Sequence, residues 1–117
     1  MNKIIIFVIF LIIVILLEWL AQYCLNKSVN NFKWNLFILS IILYGLVAIF
    51  YYFCLKNYNN IGVANGIWNV ASTLGISFIV GYFLLNEKFT LLQIIGFIVM
   101  TIGGILIIPY GNNDLNI

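Results

Sequence analysis

Four apolar runs divide the sequence, each close to the length of a helix that crosses a lipid bilayer. The runs extend from Ile4 to Leu25, from Leu36 to Leu55, from Ile61 to Leu85 and from Leu91 to Pro109. A transmembrane helix needs about 20 predominantly apolar residues. Backbone groups in lipid must satisfy their own hydrogen bonds, and the alternating pattern of barrel strands is missing. All four runs are therefore predicted to be transmembrane helices.

Composition argues against a soluble domain. The 117 residues are 65% hydrophobic and 7% charged, with a mean hydropathy of +1.17, whereas a soluble domain carries about 25% charged residues. Too few polar groups are present to cover a surface exposed to water, so membrane lipid is expected to cover most of the protein. We predict one all-α integral membrane domain, residues 1–117. The net charge of +2 is too small to indicate nucleic-acid binding.

The polar links between the runs are short: residues 26–31, 56–60 and 86–88. Short links favour antiparallel neighbours, as in an up-down four-helix bundle. Lys3 and Lys56 fall on one predicted side of the membrane, and Lys27, Lys33 and Lys88 fall on the other. Two lysines against three is a weak bias under the positive-inside rule. The chain is thus expected to insert weakly in one direction or in both, and insertion in both directions permits an antiparallel homodimer.

The sequence contains no pattern typical of an enzyme or of a cofactor site. Cys24 and Cys54 lie within apolar runs, and the chain has no histidine, so a zinc site is not supported. Ordinary buried thiols are the preferred interpretation. Phosphate-binding loops, nucleophile elbows and the zinc-protease motif are also missing. We therefore predict a protein that is not an enzyme and that binds no cofactor.

Glu18 is the only acidic residue within the four runs. Placing a charge at this depth costs at least about 2.5–3.5 kcal/mol, so intramembrane acids usually face a cavity or a partner and carry function. The cost falls on the charged form, which suits a group that exchanges a proton or binds a cation. Gln22, one turn further along, is an expected hydrogen-bond partner. The structural alternative is a protonated Glu18 that bonds to a neighbouring helix for packing alone.

A second concentration of polar residues lies in the third run. Asn65, Asn69 and Ser72 follow helical spacing, and Trp68 lies one turn from Asn65. If this face lies opposite Glu18, the two surfaces could line a cavity that holds an organic cation by charge and by ring contact. The alternative is hydrogen bonding between helices, which contributes about 0.6 kcal/mol per bond in membrane proteins.

The fourth run contains glycines suited to close helix packing. Gly96 and Gly103 are seven residues apart and fall on one face, with Gly104 adjacent. Small residues let two helix backbones approach each other closely. We predict helix–helix association through Gly96, Gly103 and Gly104, with a partner helix in the same chain or in a second copy.

Nearly the whole chain resembles the small multidrug resistance family, the four-helix branch of the drug/metabolite transporter (EamA-like) superfamily. The resemblance is carried by Glu18, by the segment Ile61-Gly62-Val63-Ala64-Asn65-Gly66-Ile67-Trp68, and by the end from Asn86-Glu87-Lys88 through Gly96 to Gly103. It implies that Glu18 binds protons or a cationic substrate, that Trp68 lines the site, and that Gly96 and Gly103 pack against an inverted second subunit. Asn65 departs from the family pattern, which has an aromatic hydroxyl residue there.

Three functions are compatible with these features. The first is proton-coupled efflux of small cationic compounds or metabolites by a dimer in which protons and substrate compete for Glu18. The second is a flippase subunit for a lipid or a lipid-linked sugar. The third is a membrane protein that does not transport but assembles with helices of another protein. The wider superfamily accommodates the second function as well as the first.

Overall fold

The computed structural model describes residues 2–31 and 33–108, and these form four helices. Their bounds are Lys3–Asn31 (α1), Trp34–Asn57 (α2), Ile61–Leu84 (α3) and Leu91–Ile107 (α4). Helix α3 is α-helical over Ile61–Gly75 and π-helical over Ile76–Leu84. The predicted all-α class is confirmed. The predicted end of the fourth run at Pro109 lies outside the described residues.

Three of the four helices are long and apolar enough to cross a membrane. Helix α1 has 29 residues, and α2 and α3 have 24 each. Helix α4 is also apolar but has 17 residues. At 1.5 Å per residue it is about 26 Å long, slightly shorter than the hydrocarbon core of about 30 Å. Length and composition thus support membrane crossing for α1, α2 and α3.

Helices α1 and α2 form the most extensively packed pair. The buried residues of α1 recur at intervals close to a heptad: Phe7, Leu11, Val14, Ala21, Cys24 and Ser28. Those of α2 are seven residues apart: Ser40, Val47 and Cys54. Such seams are typical of helices that pack almost parallel or antiparallel. The small residues allow close approach, and the Ser40 hydroxyl donates to the Ala21 carbonyl at 3.1 Å. Both cysteines are buried free thiols, as predicted.

Helix α3 packs against α1 at two levels. Asn60 caps its start by accepting a hydrogen bond from the Val63 amide at 3.2 Å. Ala64 is buried near this start, and Gly75 is buried where the π-helical part begins. The ring of Trp19 occupies the space that a Cβ at Gly75 would need. Close approach of α1 to α3 therefore depends on the absence of a side chain at position 75.

Helix α4 lies at the edge of the structure. It begins at a capping box in which Thr90 and Gln93 exchange side-chain and backbone hydrogen bonds. Gly104 packs against Val70 of α3 and is the only buried residue in α4. The principal contacts thus join the helices in the order α2, α1, α3, α4. This order leaves most of the α4 surface uncovered by the described chain.

Candidate functional site

Glu18 and Trp68 meet where α1 crosses α3. Glu18 lies between Val14 and Ala21 in the spacing of the buried α1 seam, and its side chain is half-buried. The Trp68 indole nitrogen donates a hydrogen bond to the Glu18 carboxylate at 2.6 Å. At 2.6 Å this contact is short for an N–H···O hydrogen bond, for which roughly 2.7–3.2 Å is usual. The structure therefore places Glu18 against Trp68, the aromatic residue that the sequence singled out.

Tyr51 of α2 completes the aromatic surroundings of this pair. Its ring packs against that of Trp68, with centroids 4.7 Å apart and planes tilted by 40°. The Tyr51 hydroxyl is buried, and within the part of the chain that the structure describes it has no hydrogen-bond partner. A carboxylate, an indole and a phenol thus converge from three helices. Aromatic faces next to a carboxylate are a chemical environment that favours an organic cation.

Gln22 extends the site toward α2. The sequence predicted a hydrogen bond between Gln22 and Glu18, but Gln22 bonds to Tyr44 instead. Its amide nitrogen donates to the Tyr44 hydroxyl at 2.7 Å. Sequence reasoning missed both Tyr44 and Tyr51, although one signal could have found them. The two tyrosines are seven residues apart and therefore share a helix face within a largely apolar run.

Trp19 joins α1 to the middle of α3 beside this site. Its indole nitrogen donates to the backbone carbonyl of Ser72 at 3.2 Å. The Ser72 side chain is buried, and its hydroxyl has no hydrogen-bond partner among residues 2–31 and 33–108. An unpaired buried hydroxyl costs roughly 1–3 kcal/mol. Ser72 and Tyr51 therefore each hold a buried polar atom that has no partner among the described residues.

The predicted polar face of α3 is divided by its surroundings. Asn65 and Asn69 are exposed, whereas Ser72 on the same face is buried. Gly66, next to Asn65, faces the Ile107 side chain of α4. The two asparagines therefore lie on an open face, and Trp68 is the residue of this group that contacts Glu18.

The three predicted interface glycines have different environments. Gly104 is buried against Val70 of the same chain. Gly96 and Gly103 are exposed, and a Cβ built at either position would meet no atom within 4 Å. Contact between α4 and α3 of the same chain thus explains why a glycine is needed at position 104. Gly96 and Gly103 lie on the uncovered surface of α4.

The described residues contain no group of three or more His, Cys, Asp or Glu side chains that could hold a metal ion. Comparison of the chain with protein-family models, with curated proteins and with solved structures finds no match. The fold therefore defines the class: an all-helical protein with three helices able to cross a membrane. Any narrower assignment depends on the chemistry of the Glu18 site.

Proposed function

We propose that this chain is a proton-coupled transmembrane transporter of small organic cations or cationic metabolites, and that Glu18 is the shared site for proton and substrate. The observation that carries the proposal is the hydrogen bond from Trp68 to the Glu18 carboxylate at 2.6 Å. An acid in the middle of an apolar helix is costly unless it is paired, and such acids usually mark an ion or substrate path. Here the pairing donor is uncharged.

A neutral donor leaves the charge of Glu18 uncompensated. The Trp68 indole stabilises the carboxylate by a hydrogen bond but carries no positive charge, so a proton or a cation can still neutralise the site. The rings of Trp68 and Tyr51 offer their faces to an organic cation held by the carboxylate. Because one carboxylate cannot bind both ions fully, arrival of a proton would release the cation. This competition couples the two fluxes when the site alternates between the two sides.

A homodimer is part of this proposal. The principal contacts of α4 are with α3, so its opposite surface is free to receive a second copy. Gly96 and Gly103 on that surface have open space around them and allow close helix approach. The exposed Asn65 and Asn69 are also available to a second copy. Two chains would enclose a path that four helices enclose poorly.

The test is current measurement with purified protein reconstituted in liposomes on a solid-supported membrane. Guanidinium and tetramethylammonium pulses are applied with and without a proton gradient. We expect substrate-evoked currents from the unaltered chain, loss of current with Glu18→Gln, and partial retention with the charge-conserving Glu18→Asp. Glu18→Gln keeps an oxygen that can accept from Trp68, so the dimer should remain assembled. Equal currents from the Gln variant, or silence of the folded unaltered protein across both cations, would refute the proposal.

One observation favours a second candidate, a flippase subunit for a lipid or a lipid-linked sugar. An apolar groove of about 590 Å³ runs between α1 and the π-helical part of α3, lined by Leu16, Trp19, Leu20, Tyr23 and Ile79 among others. Such an apolar groove suits an acyl chain. Scrambling of a fluorescent lipid that survives Glu18→Gln would support this candidate. Loss of assembly in that variant would instead indicate a partner protein without transport activity.

A further inference from the structure

Helix α1 carries a line of polar side chains from the Glu18 site toward its C-terminal end. Glu18, Gln22, Asn26 and Asn30 recur at intervals of four residues, so each lies about one turn above the last. The Asn30 amide nitrogen donates to the Asn26 side-chain oxygen at 2.9 Å, which joins the outer two. Asn26 is eight residues from Glu18, or about 12 Å along the helix axis. This polar line therefore covers the depth between the site and one membrane face.

A cavity of about 150 Å³ lies beside the middle of this line, between α1 and the π-helical part of α3. Gln22 and Asn26 form its α1 wall, and Ile76, Gly81 and Glu87 form much of the opposite wall. The volume accommodates several water molecules, and the wall supplies the polar partners that buried water needs. Glu87, in the polar link after α3, is exposed and also lines this cavity.

The backbone after α3 holds Glu87 in position. The π-helical part ends with a hydrogen bond from the Leu85 amide to the Val80 carbonyl. Asn86 then adopts a φ of 58°, a left-handed conformation that asparagine tolerates better than most residues. This reversal lets the Glu87 amide donate to the Gly81 carbonyl at 2.9 Å. The Glu87 carboxylate lies over Gly81, in space that a Cβ there would occupy.

No basic group neutralises Glu87 within the described parts of the chain, where it forms no ion pair. Lys27 is the basic residue of α1 nearest in sequence to Asn26, and its ammonium lies 5.7 Å from the centre of the Tyr23 ring. Lys88 follows Glu87 but is not part of the wall around Gln22 and Asn26. Among the residues that the structure describes, Glu87 is therefore the one charged residue in the wall of this cavity.

We propose that Gln22, Asn26 and Glu87 form a water-filled, cation-selective vestibule that connects Glu18 to the membrane face at which α1 ends. The vestibule concentrates small cations through Glu87, and water bridging Gln22 and Glu18 completes the path. As a route to Glu18 it rests on the transport function proposed above. Its existence as a hydrated, negatively charged cavity is a separate property that can be measured without transport.

The experiment measures thiol modification of single cysteines in nanodiscs, which expose both membrane faces. Cys24 and Cys54 are replaced by alanine, and Gln22→Cys and Asn26→Cys are introduced separately. The reagents are the cationic 2-(trimethylammonium)ethyl and the anionic 2-sulfonatoethyl methanethiosulfonate. Leu20→Cys, on the exposed apolar side of α1, is the matched control. We expect modification of both vestibule cysteines, faster with the cationic reagent, and none at Leu20→Cys.

Adding Glu87→Gln should lower the ratio of the modification rate with the cationic reagent to that with the anionic reagent by about tenfold. This is the order of magnitude expected from removing one charge several ångströms from the thiol in water. Lys88→Gln, next in sequence, should not lower it because that variant removes a positive charge. Ile76→Cys on the opposite wall is the second reporter if an α1 cysteine variant does not fold.

Vestibule cysteines as unreactive as Leu20→Cys, or a ratio unchanged by Glu87→Gln, would overturn the proposal. Labelling should persist in Glu18→Gln, since this variant leaves the cavity walls intact. Labelling without current would therefore refute only the transport function, and current without labelling would refute only the vestibule.

Discussion

Two tyrosines on the same helix face give a sharp test of the hydrogen bonding around the site. The Tyr51 hydroxyl is buried without a partner among the described residues, whereas the Tyr44 hydroxyl accepts a hydrogen bond from Gln22 at 2.7 Å. Replacing either tyrosine by phenylalanine removes one oxygen atom and keeps the ring. The same chemical change should therefore alter the free energy of unfolding in opposite directions.

The magnitudes follow from the two environments. An unpaired buried hydroxyl costs roughly 1–3 kcal/mol, so Tyr51→Phe should raise the free energy of unfolding by about 1 kcal/mol. The ring contact with Trp68, with centroids 4.7 Å apart, is retained. Tyr44→Phe removes a bond that contributes about 0.6 kcal/mol in typical membrane cases and leaves the Gln22 amide without its acceptor. We expect it to lower the free energy of unfolding by about 1 kcal/mol.

The assay is unfolding of the purified protein in mixed micelles by titration with a denaturing detergent, followed by tryptophan fluorescence. The expected separation of the two variants is about 2 kcal/mol, with the unaltered chain between them. Under the transport function proposed above, cation binding supplies a second readout, which Tyr51→Phe should weaken. A Tyr51→Phe variant destabilised as much as Tyr44→Phe would show that the Tyr51 hydroxyl is already paired, and the reasoning would fail.

Glycine substitutions test the two helix contacts beyond the site. Gly75→Ala should lower the free energy of unfolding by about 1–3 kcal/mol, because the new methyl overlaps the Trp19 ring. Thermal unfolding measures this loss. Adding Trp19→Leu to the Gly75→Ala variant should restore part of it. Gly104→Ala should destabilise α4 packing against Val70, whereas Gly103→Ala, with open space around it, should leave monomer stability within about 0.5 kcal/mol. Crosslinking should show fewer dimers for Gly103→Ala, and an unchanged dimer fraction would contradict the proposed α4 interface.

Some helix boundaries were predictable from the sequence because local chemistry fixes them. The third and fourth helices begin at Ile61 and Leu91 as predicted, each directly after a capping residue. The end of α1 was harder to place, since the apolar run ends at Leu25 but the helix continues to Asn31. Hydropathy locates the part of a helix that suits lipid, while the backbone hydrogen bonds continue through polar residues. The helical turns of α1 beyond the predicted run contain Asn26 and Asn30.

The site was only partly predictable, for a related reason. Glu18 and Trp68 were identified by their chemistry within single helices, but Tyr51 becomes relevant only through its contact with Trp68 from another helix. Likewise, the position of Glu87 depends on the backbone reversal at Asn86, which brings the Glu87 amide to the Gly81 carbonyl. The π-helical form of Ile76–Leu84 has no sequence signal that we can identify.

The order in which the helices pack separates two roles that the sequence could not separate. Helix α1 contacts both α2 and α3, so side chains of either helix can contact Glu18. Trp68 of α3 does so through its hydrogen bond. Helix α4 has its principal contacts with α3 alone, so a change on its uncovered surface has no direct path to the carboxylate. Substitutions at Gly96 or Gly103 should therefore alter association while leaving the Glu18–Trp68 bond intact. Under the proposed function, any effect of these two substitutions on transport would act through the proposed dimer.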